Sequence, residues 1–118
     1  MISHASLFSG IGGDDLAAEW MGWQNIFHCE LIESKRKWLQ HRWPQSTSYA
    51  DITTTDFTVH RRTIDILTGG DPCQVSSKIG KREGKAGALY LWPQFFRAVR
   101  EIEPTVVVNE NVDGTIWS

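Results

Sequence analysis

With 118 residues, 41% of them apolar and 22% charged, the chain has the length and composition of one globular domain around a single core. Its net charge of -2 excludes a polycation built to coat nucleic acid, and no apolar run approaches the ~20 residues of a membrane-spanning helix. Cys29 and Cys73 form no Cys-x-x-Cys pair, and His4, His28, His41 and His60 lack metal-ligand spacing. Neither a disulfide framework nor a metal site is therefore expected. The opening Met1-Ile2-Ser3-His4 lacks the basic-then-apolar pattern of a secretory signal, so a cytoplasmic location is expected.

Residues 5–8 read as a short apolar strand running into Ser9-Gly10-Ile11-Gly12-Gly13, a loop that glycine makes possible. Asp14 or Asp15 is placed to cap a helix over residues 16–21, which Gly22 stops. Residues 24–29 read as a second strand ending in Glu30. Ser34 then caps a helix that carries Trp38 and Leu39 and closes at Trp43-Pro44. Residues 48–50 form a third strand ending in Asp51, and residues 63–67 a fourth that breaks into Gly69-Gly70-Asp71-Pro72-Cys73. Leu89, Trp92, Phe95, Phe96, Val99 and Ile102 recur at helical spacing, with Pro93 near the start of that segment. The β-branched run at 105–108 predicts a central strand buried on both faces.

Strands alternating with helices through short links predict an α/β, Rossmann-like, doubly wound and mostly parallel sheet that stops after about five strands. Ligands of such sheets bind outside the carboxyl ends of the strands. Here those ends carry Gly10 to Gly13, Glu30, Asp51, Gly70 to Gln74, and Asn109-Glu110-Asn111.

The glycine loop is neither of two familiar phosphate cradles. Asp15 stands where the dinucleotide fingerprint needs glycine, and no Gly-Lys-Ser or Gly-Lys-Thr follows. An acid at the helix start repels a pyrophosphate but tolerates a cationic amino-acid group; a tight structural turn reads equally well. Glu30 could accept from both hydroxyls of a ribose and Asp51 from an adenine amino group. Singly, each reads more readily as a helix cap or a solvated strand end, but together they fit an adenosine laid across the sheet edge. Cys29 reads as a small buried hydrophobe. Cys73, after a Gly-Gly turn and beside the basic stretch Lys78, Lys81, Arg82 and Lys85, reads as an exposed nucleophile. Glu110, beyond the valine run, is either a proton donor with a raised pKa or an exposed carboxylate.

In order and spacing these stretches resemble the cytosine-5 DNA methyltransferases. Leu7-Phe8-Ser9-Gly10-Ile11-Gly12-Gly13 with Leu16-Ala17-Ala18-Glu19-Trp20 is similar to the family's cofactor-loop motif, and Glu30 and Ala50-Asp51-Ile52 to the next two. Gly69-Gly70-x-Pro72-Cys73-Gln74-x-x-Ser77 resembles the catalytic motif, and Glu110-Asn111-Val112 the family's Glu-Asn-Val.

The resemblance implies methyl transfer from S-adenosylmethionine to carbon 5 of a cytosine flipped out of double-stranded DNA. It makes Cys73 the nucleophile and Glu110 the group at ring nitrogen 3. It assigns the cofactor to Phe8, Gly10, Gly12, Gly13, Glu30, Leu31, Asp51, Ile52 and Pro72. Gln74, Ser77, Lys78, Lys81 and Arg82 fall to the DNA-facing loop. Ser6, Asp71 and Val75-Ser76 depart from the commoner residues at their positions. The chain ends at Ser118, without the family's arginine-bearing motif, DNA-reading region or closing segment. Residues 1–118 are therefore expected to be the N-terminal part of a catalytic domain that a C-terminal chain would complement. An inactive cofactor-binding fragment and an RNA cytosine-5 methyltransferase are the alternatives the sequence leaves open.

Overall fold

Nine short elements follow one another in the computed structural model, which describes residues 1–70 and 84–109, the side chains of 84–90 excepted. They are β1 (Ser3–Leu7), α1 (Gly13–Trp20), β2 (Gln24–Cys29), α2 (Glu33–Arg42), β3 (Thr47–Tyr49), a 3-10 turn (Thr58–His60), β4 (Ile66–Gly69), α3 (Gly84–Ile102) and β5 (Val106–Asn109). The strands pair in parallel in the order β3-β2-β1-β4-β5. Strand order therefore reverses between β1 and β4, and the loops leaving those two strands diverge there. This is the expected doubly wound sheet, with its crevice at the carboxyl ends of β1 and β4.

The two faces of the sheet differ. Ala5, Leu7, Phe27, Cys29 and Leu67 face Phe95, Ala98 and Ile102 of α3, and this layer is the apolar core. His4, Ser6 and Thr68 point the other way and are buried. His4 Nδ1 lies 2.6 Å from Asn25 Oδ1, and His4 Nε2 lies 2.9 Å from Thr68 Oγ1. Nδ1 therefore carries the proton that Asn25 accepts, and Nε2 accepts from the Thr68 hydroxyl. Asp15 Oδ1, on α1, lies 3.8 Å from His4 Nδ1. Burial lowers the His4 pKa against the opposing pull of Asn25, so this pair is no ion pair at neutral pH.

Several expectations are corrected. Neither Asp14 nor Asp15 caps α1; both lie in its first turn, and the cap is Gly12, left-handed at φ 91°. A side chain at Gly12 would also run into the Trp43 and Leu39 side chains, so this glycine is required by both φ and packing. Ser34 lies inside α2, whose cap is Ile32 with no side-chain hydrogen bond. Pro93 falls in the interior of α3, not near its start, and its missing N–H leaves the Leu89 carbonyl without its helical donor. The valine run does form a strand, but β5 is the sheet's edge among the described residues. Val106, Val107 and Val108 remain 47%, 40% and 48% exposed. β-branching specifies the strand; burial depends on what packs outside it.

Candidate functional site

The loop after β1 is fastened before it reaches its glycines. Ser9 donates its N–H to the Cys29 carbonyl at 3.1 Å and accepts the Cys29 N–H on Oγ at 3.2 Å. Phe8, at φ 52°, turns the chain out of the strand. Glu30 then bridges two strand ends: Oε1 accepts the Gly10 N–H at 2.7 Å and Oε2 the Ile32 N–H at 2.9 Å. At 3% exposure this carboxylate is a structural tie as well as a candidate ligand. Each oxygen keeps a lone pair that these two bonds do not use.

Asp51 follows β3, and its Oδ1 accepts from both the N–H (2.9 Å) and the hydroxyl (2.6 Å) of Thr53. No described residue donates to Oδ2. Phe8, Glu30, Leu31, Asp51 and Ile52, five of the residues singled out from the sequence, line one recess with Cys29, Ala50 and Leu91. Its enclosed space is about 30 Å³, room for one water-sized group. Ideal Cβ positions at Gly10 and Gly13 meet nothing within 4 Å, which leaves the loop backbone open to close approach. Cys29 takes no part in nucleophilic chemistry: burial, with the Glu30 and Asp51 charges adding, pushes its thiol up to about 12.

Beside this recess, Gly69 pairs with Leu7 on one side and Asn109 on the other. Gly70 donates to the Leu7 carbonyl at 3.0 Å, and Asn109 Nδ2 donates to the Gly69 carbonyl at 3.3 Å. A Cβ at Gly69 would collide with the Phe95 ring, and one at Gly70 would come within 2.7 Å of the Phe8 carbonyl oxygen. The segments that lead to the two expected catalytic residues thus leave the sheet from adjacent, in-register strand ends. Pro72, Cys73, Gln74, Ser77, Lys78, Lys81, Arg82 and Glu110 themselves lie outside the described residues.

A wider cleft of about 550 Å³ opens at the opposite end of the sheet, between Glu19, Trp23, Arg42, Trp43 and Thr47. It contains none of the strand-end acids or loop glycines, and size alone does not make it the reactive site. Among the described residues no group of three His, Cys, Asp or Glu could hold a metal, and no helix is long and apolar enough to cross a membrane. Sequence reasoning missed Thr53, which orients Asp51, and Arg97, which reaches the same loop from α3. The available signal was the Thr53-Thr54-Thr55 run after a strand-end acid.

A parallel sheet wound both ways from β1, with a glycine loop after β1 and acids after β2 and β3, defines the Rossmann-like methyltransferase fold. A solved Escherichia coli structure, of a prophage-encoded protein assigned as a DNA modification methyltransferase, superposes with a TM-score of 0.74 at 25% identity. That match covers 97% of this chain and 33% of the other. The chain belongs to the C-5 cytosine-specific DNA methylase family, whose model matches residues 2–117. It is 37% identical over 114 residues to the Type II methyltransferase M.Eco47II of Escherichia coli, covering 93% of this chain and 27% of that protein. Against the Type II methyltransferase M.AquIA of a Picosynechococcus strain, identity is 38% over 125 residues, covering 96% of this chain and 50% of the relative. The chain therefore spans between a quarter and a half of the length of these two relatives.

Proposed function

We propose that the chain is the cofactor-binding, nucleophile-bearing part of an enzyme that methylates carbon 5 of cytosine in double-stranded DNA. One observation carries the reading: a single recess at the strand carboxyl ends gathers Phe8, Glu30, Leu31, Asp51 and Ile52, beside the two strands from which the Cys73 and Glu110 segments depart. The residues fit S-adenosylmethionine. Asp51 Oδ2 would accept the adenine amino group, the unused lone pairs of Glu30 would accept the ribose hydroxyls, and Phe8 would pack on the base. Gly10 and Gly13 leave room for the amino-acid end. When bound, S-adenosylmethionine would supply the methyl group.

Cys73 lies three residues beyond Gly70 and Glu110 one beyond Asn109, so both reacting groups start from neighbouring strand ends. The Cys73 thiolate would add to carbon 6 of the flipped cytosine while Glu110 holds or protonates nitrogen 3, making carbon 5 nucleophilic. Carbon 5 would take the methyl group, and loss of the carbon-5 proton would then expel Cys73 and restore the ring double bond. Lys78, Lys81 and Arg82, with Gln74 and Ser77, would meet the DNA backbone. Names of the Type II relatives favour a role in restriction-modification.

The test is a duplex carrying 5-fluorocytosine, offered with S-adenosylmethionine to the chain alone and to the chain with a complementing C-terminal polypeptide. Fluorine blocks the final elimination, so a denaturation-resistant protein–DNA adduct is expected, and Cys73→Ser should abolish it. An intact mass that never shifts in either arrangement would overturn the catalytic assignment.

A further inference from the structure

The loop between β3 and the 3-10 turn begins with a single turn, in which Thr54 N–H and Thr55 Oγ1 donate to the Asp51 carbonyl at 3.2 and 2.7 Å, and it presents Asp51 and Ile52 to the recess. Its carbonyls are gripped from the far side of the core. On α3, the Arg97 Nη2 donates to the Ile52 carbonyl, and Nη1 donates to the Thr55 carbonyl at 3.1 Å and to Glu101 Oε1 at 2.7 Å. Nε donates to Gln94 Oε1 at 2.9 Å, so every nitrogen of the guanidinium is engaged. Glu101 Oε1 also accepts the Phe57 N–H at 3.0 Å, closing the loop's other end.

The Ile52–Thr53 peptide is held at both ends. Its carbonyl accepts from Arg97, and its N–H donates to Asp51 Oδ1 at 2.9 Å. The guanidinium therefore orients the Asp51 carboxylate through one rigid peptide plane. It also polarises that peptide so that its N–H is a better donor.

We infer that Arg97 is a positioning residue for the cofactor, acting through the Ile52–Thr53 peptide on Asp51. This rests on the cofactor reading proposed above. The clamp also ties the adenosine side of the recess to the helix that follows the Cys73 segment, since α3 begins at Gly84. Lysine cannot replace it: its three donors radiate from one atom and cannot span two carbonyls and two side chains as a planar fork does.

The test is a calorimetric double-mutant cycle on the chain, with S-adenosylmethionine and with adenosine as ligands, and thermal unfolding recorded without ligand. Arg97→Lys should weaken both ligands about tenfold, because the lost orientation lies at their shared adenosine end. In an Asp51→Ala background the same change should cost no more than about twofold, since no acceptor remains for it to orient. Equal losses in both backgrounds, or an unchanged affinity in a folded Arg97→Lys chain, would overturn the inference and leave Arg97 as packing alone. Should Arg97→Lys fail to fold, Glu101→Ala removes the acceptor that braces the guanidinium, and the same non-additivity is expected. If the wild-type chain binds neither ligand, the cofactor reading itself fails, a result distinct from failure of the clamp.

Discussion

Asp15 is 2% exposed, and neither carboxylate oxygen has a hydrogen-bond donor of good geometry. Burial pushes its pKa up to about 6, with the Ser6 hydroxyl opposing and the Asp14 charge adding. Below the unfolded value of 3.8 the acid is neutral in both states and costs nothing. As pH rises from there to about 6 the unfolded chain loses its proton first, so stability falls through that window and stays lower above it. Asp15→Asn should therefore raise stability by ~2–3 kcal/mol at pH 8 and by little at pH 4, as read by denaturant unfolding at both values. An equal effect at the two values would assign the gain to something other than the charge. His28, whose pKa burial lowers to about 4, destabilises in the opposite direction, as pH falls from 6.5. It acts equally on both chains and cancels in the comparison. Residue type and strand-end position made it legible from the sequence that Glu30 and Asp51 come together at the sheet edge. That Glu30 is also tied to Gly10, and that Asp51 answers to Arg97, was not legible. Those bonds join residues 20 and more positions apart, which no local pattern encodes.

At the scale of elements, β2 is found at residues 24–29 as expected, and the other strands lie within one to three residues of expectation. Their short apolar runs are bounded by glycine or acid, and that punctuation is local physics. The caps went the other way. Asp and Ser residues near helix starts are strong cap signals, but Gly12 and Ile32 hold those places, because the loops are fixed by Glu30 and by packing on Trp43. The exposure of β5 has the same cause: burial depends on neighbours that the strand's own residues do not specify. The element most responsible for the site is α3, whose Phe95 lies on Gly69 and stacks near Phe8 at 6.4 Å between ring centroids. Phe95→Ala should cost ~3–5 kcal/mol in chemical denaturation, since the ring is 2% exposed and its removal leaves a cavity in the core. A loss below ~1 kcal/mol would mean that the core closes over the gap, against the packing described.

For the molecule as a whole, the reversal of strand order between β1 and β4 brings the glycine loop and the start of the Cys73 segment side by side. The acids after β2 and β3 lie in a row beyond them. The doubly wound topology could be expected from alternation and short links. The family could be expected from ordered motifs, and the match over residues 2–117 shows it. The depth of the recess could not, because it is set by how Leu91 and Ile52 pack across 39 residues of sequence. The most direct test is calorimetric titration of the purified chain with S-adenosylmethionine, with Asp51→Ala as its control. The expected result is saturable binding, weakened by ~1–3 kcal/mol when the adenine acceptor is removed. No heat of binding from a folded chain, or equal affinity in the two proteins, would contradict the cofactor site placed at these strand ends.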